Sequence, residues 1–126
     1  METILAIEEV DDDDFSGYEI TTDKQKIRIQ IKNYQQCCES WGYFSTNDDI
    51  TDFIGSVIHN IELVDEALNV DKLPKYATYL DAGGIIFVNI NTNKGTLQLA
   101  VYNGHNGYYS HEVYIISTQL TENTYL

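Results

Sequence analysis

Two stretches of this chain bring chemically capable side chains close together. The first is Tyr102-Asn103-Gly104-His105-Asn106-Gly107-Tyr108-Tyr109-Ser110-His111-Glu112, which holds aromatics, two histidines and amides in one short run. Neutral imidazole binds metals well, so His105 and His111, joined by Cys37 or Cys38, make a candidate metal set. Nothing local fixes that geometry. The chain has no His-Glu-x-x-His and no pair of Cys-x-x-Cys, so neither a metal nor a cofactor is expected. A ligand lip is the better functional use. Tyr102, Tyr108 and Tyr109 would stack on a planar ring, while His105, Asn106 and His111 read its edge. Lys26 and Arg28 would then meet a phosphate. The plainest alternative is a hairpin loop whose tyrosines cover one end of the core.

The second stretch is Cys37-Cys38-Glu39-Ser40-Trp41-Gly42-Tyr43-Phe44. Ordinary disulfides hold their Cα atoms ~4.4–6.8 Å apart, so a bridge between neighbours is strained. Two reduced thiols are expected instead. Trp41, the single tryptophan, reads as a core anchor whose indole N–H needs a partner.

Carboxylates are the third resource. The 126 residues carry 20 Asp and Glu against 7 Lys and Arg, a formal charge of −13. Nucleic-acid and anionic-membrane binders need a cationic face to replace counterions, so direct binding of either is not expected. Two acidic groups stand out as a partner-binding surface: Asp11, Asp12, Asp13 and Asp14, and Asp48, Asp49 and Asp52. No spacing forces any two into a dry catalytic pair. A phosphate-cradling glycine loop and a Gly-x-Ser-x-Gly elbow are both absent from the sequence. The chain does not read as an enzyme.

These groups must be positioned by regular elements. From Lys24 to Lys32, Ile27, Ile29 and Ile31 alternate with Lys24, Lys26, Arg28, Gln30 and Lys32, the period of a half-buried strand. Tyr18 to Thr22 is its hairpin partner across Thr22-Asp23. Ile85 to Ile90 and Thr96 to Tyr102 form a second hairpin across Thr92-Asn93-Lys94-Gly95, and Glu112 to Ile116 adds a strand. Ile50, Phe53, Ile54, Val57 and Ile58 follow the spacing of an amphipathic helix, with Thr46 or Asn47 as its cap. Asn60 to Val64 returns to strand. The expected fold is α+β: a mainly antiparallel sheet of five or six strands with one helix on one face. Residues 1–126 form one domain, with an acidic lead-in at 1–14 and a tail at 117–126. Met1 to Glu9 offers no basic leader and no apolar run approaches ~20 residues, so a cytoplasmic setting is expected.

The segments Cys37 to Phe44, Asp52-Phe53-Ile54-Gly55, Phe87-Val88-Asn89-Ile90 and His105 to Val113 resemble an uncharacterised family of small phage and prophage proteins. The likeness runs from about Phe15 to Ile116. It implies an accessory role in which inhibition of host defence is common, and it brings no catalytic residues. Together with the charge, it leads to an inhibitor that binds a basic nucleic-acid-handling host protein by mimicking nucleic acid. The RNA-guided CRISPR nuclease, with its Arg- and Lys-lined channels, is one such partner. The runners-up are a sponge for a nucleotide signal and a self-associating homo-oligomer.

Overall fold

The computed structural model describes residues 2–33, 40–47, 49–64, 66–68, 82–105 and 111–126. Among the described residues nine strands run in chain order: β1 (Glu2–Asp11), β2 (Phe15–Thr22), β3 (Lys26–Lys32), β4 (Ser40–Ser45), β5 (Val57–Val64), β6 (Ala82–Thr92), β7 (Gly95–His105), β8 (Glu112–Ile116) and β9 (Thr121–Tyr125). They pair antiparallel in the order β4-β7-β6-β5-β1-β2-β3-β8-β9.

The sheet turns over on itself at β1. Glu2 and Thr3 pair with Ile58 and Val57 of β5, while Ile4 to Asp11 pair with β2. The register shifts between Ile4 and Ala6, which turns Leu5 out to solvent at the corner. Bulges bend a strand in this way. The inner faces of the two halves then meet, with β4 against β2 and β7 against β3. One apolar cluster fills the space, including Ile27, Ile29 and Ile31 from one half and Val88, Ile90, Leu97 and Leu99 from the other. Tyr18 and Tyr43 meet edge to face across it, 5.1 Å between centroids.

The alternation read from Lys24 to Lys32 is that of β3, which starts at Lys26 and leaves Lys24 in the turn before it, and Tyr18 lies opposite Ile29 as a hairpin partner. Thr92 pairs with Gly95 around Asn93-Lys94, closing the β6–β7 hairpin. Glu112–Ile116 is β8, but it lies beside β3.

The α+β expectation is overturned: the fold is nearly all-β, and among the described residues nine strands stand in place of the five or six expected. Among the described residues, Ile50–Phe53 forms a single 3-10 turn where the amphipathic helix was expected. Its cap is Asp49, whose side chain accepts from the Thr51 N–H, not Thr46 or Asn47. Ile54 is already extended (φ −66°, ψ 131°), and Gly55 sits at φ +89°, a conformation that L side chains rarely adopt. Val57 and Ile58 then start β5. Nine residues can show helical spacing by chance, and a mid-stretch glycine gave the chain a place to leave the helix.

Candidate functional site

Glu8, Glu9 and Asp11 to Asp14 are all exposed, and they occupy the far end of β1 and the turn into β2. The turn is built by Asp12, whose Oδ1 accepts from the N–H groups of Phe15 (2.7 Å) and Asp14 (2.8 Å). Those amides, Phe15 foremost, hold the Asp12 carboxyl below its ordinary range. Asp11 accepts from the Ser16 hydroxyl at 2.6 Å, and Asn33 Nδ2 donates to the Asp12 carbonyl at 2.7 Å. Glu9 accepts from the Tyr43 hydroxyl at 3.0 Å. Burial first, and that bond second, push the Tyr43 hydroxyl up. The carboxylates therefore stand on a fixed frame. Among the described residues, this group's ion pair is Asp14 with Lys32, at 3.7 Å.

The second acidic group lies elsewhere. Asp49 caps the 3-10 turn and Asp52 lies within it, and the chain after it bonds to the near end of β1 through Gly55 N–H to Ile4 carbonyl at 2.8 Å. From Ile4 to Asp11 is roughly 23 Å of strand at about 3.3 Å per residue. The structure thus keeps Asp49 and Asp52 apart from Asp11 to Asp14, and Asp48 lies outside the described residues. Glu8 and Glu9 join the first group instead. Ile7-Glu8-Glu9-Val10 has no period-two alternation, so short-range pattern gave no signal for them.

The two motif stretches do converge. Trp41 on β4 stacks on His111, just before β8, with centroids 5.5 Å apart and planes at 30°. His111 is fully buried. Its Nδ1 lies 2.6 Å from the Lys32 carbonyl, and since a carbonyl only accepts, Nδ1 carries the proton. Its backbone exchanges two hydrogen bonds with Leu126, whose carbonyl also accepts from Asn103 Nδ2 at 2.8 Å. This seam ties β3, β4, β7 and β8 to the residue that follows β9. Tyr102 points to the other side of β7, over Gly42 and 5.9 Å from Phe44, and is buried. His111 and Tyr102 are therefore not one ligand lip. Asn106, Tyr108, Tyr109, Cys37 and Cys38 lie outside the described residues, as does the side chain of His105. Among the described residues no three His, Cys, Asp or Glu side chains are grouped to hold a metal.

Lys26 and Arg28 project from the outer face of β3, remote from the His111 interior. Both reach Glu19 on β2: Arg28 Nε donates at 3.0 Å and Lys26 Nζ lies at 3.5 Å. Glu19 is only 14% exposed beneath them, whereas the lysine and arginine are 60% and 47% exposed. Lys32 lies 4.9 Å over the Phe15 ring.

Such a frame defines a small, nearly all-β domain with framed carboxylates. Residues 2–115 match the model of a domain of unknown function, DUF7448, and the chain belongs to that family. No curated protein and no solved structure matches it. Among the described residues no helix is long and apolar enough to cross a membrane.

Proposed function

We infer that this protein is a non-enzymatic binding module that lays the acidic β1–β2 end on a basic protein surface that otherwise holds nucleic acid. One observation carries the reading: Glu8, Glu9 and Asp11 to Asp14 are all exposed at the far end of β1 and on the turn into β2, which Asp12 and Asn33 brace. Framed carboxylates lose little side-chain freedom on docking, which favours an ordered charge match over a diffuse cloud. Steering would be fast and salt-sensitive. An inhibitor of a nucleic-acid enzyme acts by this chemistry, and the separation of Asp49 and Asp52 limits the contact to one end of the molecule.

The test is capture from a lysate of the producing organism with the intact chain and with a variant carrying Asn at 11, 13 and 14. Asp12 is spared because it builds the turn. A basic nucleic-acid-binding protein retained by the first, lost by the second, and eluted by salt is expected. Equal retention by both chains, or retention indifferent to salt, removes the reading.

A further inference from the structure

The outer face of β2, β3, β8 and β9 differs from the rest of this acidic molecule. Opposed residues in antiparallel strands point the same way. Arg28 lies opposite Glu19 and Ile116, Gln30 opposite Tyr114, Tyr114 opposite Asn123, and Glu112 opposite Tyr125. The interleaved residues Ile27, Ile29, Val113 and Ile115 face inward and are fully buried. Outside, the charges cancel: Lys26, Arg28 and Lys32 stand against Asp14, Glu19 and Glu112, with five of these six joined in ion pairs. Apolar surface is exposed on the same face, with Tyr125 65% and Ile116 39% accessible. Phe15 and Tyr114 meet edge to face at 5.2 Å over buried Gln30, which makes a firm floor. The Tyr114 hydroxyl is held by Glu112, which pushes it up from its ordinary value.

We propose that this face is where two copies of the chain associate, face against face about a two-fold axis. Two bodies at −13 each repel through most approaches. This charge-balanced face is where they can meet without setting carboxylates against carboxylates. Tyrosine and arginine are also the residue types enriched at the centres of interfaces. A two-fold contact sets Arg28 and Lys26 of one copy near acids of the other, because the same patch serves both. Four strands at about 4.8 Å and six residues at about 3.3 Å give a footprint on the order of 400 Å² in plan, the size of a weak, reversible contact.

Salt separates this inference from the docking of the acidic turn. Docking on a basic partner weakens as salt rises. Self-association tightens, because salt screens the long-range repulsion between copies while the apolar contact persists.

The experiment is sedimentation velocity on the full chain across a concentration series at about 0.05 M and about 0.5 M salt, where the Debye length falls from roughly 14 Å to roughly 4 Å. A monomer–dimer equilibrium that tightens about tenfold with salt is expected. Tyr125→Glu and Ile116→Glu each weaken it by about tenfold or more, since each sets a charge into the contact. Leu68→Glu, an exposed position on the opposite side of the molecule, leaves it unchanged. All three are surface changes, and unaltered circular dichroism confirms that they fold. A monomer at every concentration and salt overturns the proposal, and so does a dimer that Leu68→Glu disrupts and Tyr125→Glu does not.

Discussion

On the outer side of β6 and β7, Phe87, Tyr102, Asn89 and Gln98 are buried, while on the outer side of β8 and β9, Ile116, Asn123 and Tyr125 meet solvent. The covered face has its own aromatic contacts, Phe44 with Phe87 at 6.3 Å and with Tyr102 at 5.9 Å. All three stand apart from the main apolar cluster. It also has a polar clamp. The Gln98 side chain donates to the Glu66 carbonyl at 3.0 Å and to Asn89 at 2.8 Å, and it accepts from the Leu68 N–H at 2.8 Å. It binds that segment of backbone much as a neighbouring strand would. The open face has no comparable cover among the described residues, and its cations are held by carboxylates on the same face. One side of the sheet is thus covered by its own chain, and the other is the face proposed above for self-association.

That contrast can be broken by substitution. Phe87→Ala is expected to cost about 3–4 kcal/mol in chemical denaturation, as buried aromatic truncations do. Tyr125→Ser on the open face should stay within about 0.5 kcal/mol. Equal costs would mean that the two faces do not differ in cover. Gly17→Ala comes next, at about 2–3 kcal/mol, because a Cβ there runs into the Ile29 carbonyl of the paired strand and the backbone must shift. Gln98→Ala should cost about 2 kcal/mol by leaving Asn89 and the 66–68 backbone short of partners. If Gln98→Ala proves neutral, the clamp is ornamental.

Two smaller effects follow pH. Burial, and then the Glu9 charge, raise the Tyr18 hydroxyl far above its ordinary range. A group whose folded value is raised contributes stability that is complete below the unfolded value and lost above it. The melting temperature should therefore fall as pH rises past about 10, and Tyr18→Phe should flatten that fall. Asp12 has the opposite sign: its lowered value gives support that is present above about 4 and lost on further acidification. Faster amide exchange at Asp14 and Phe15 below that pH is the readout, and it is the smallest effect of the set.

Much of the sheet was legible in short-range pattern. Ile27, Ile29 and Ile31 announce β3 by alternation, and Asn93-Lys94 announces a hairpin. The failures have physical causes. Ile50 to Ile58 fits a helical stripe, yet Ile54 is exposed and Gly55 bends the chain away. Thr121 to Tyr125 is polar enough to read as a tail. An edge strand needs one neighbour only, and β8 supplies it. Pairings such as Glu2 with Ile58 and Ile29 with Ile115 join distant segments, which local periodicity does not encode. At the candidate sites, Trp41 and His111 were singled out from separate motifs, and their stacking depends on β4 and β8 being brought together. The acidic run was visible, while its distance from Asp49 and Asp52 became visible only with the path of β1.

The distant pairings also bear on how the chain is made. The ribbon β1-β2-β3 can form as soon as Lys32 has left the ribosome, but the strand that covers the far edge of β3 begins at Glu112. Folds dominated by such non-local pairings close in milliseconds to seconds. Through synthesis, then, β3 offers three isoleucines beside an unpaired row of backbone amides, a template for joining other chains. Lys26, Arg28 and Lys32, interleaved with those isoleucines, place charge along that edge. Charged residues on a vulnerable strand discourage pairing with strangers. The same cations that later settle against Glu19 and Asp14 would first serve as guards of the nascent edge.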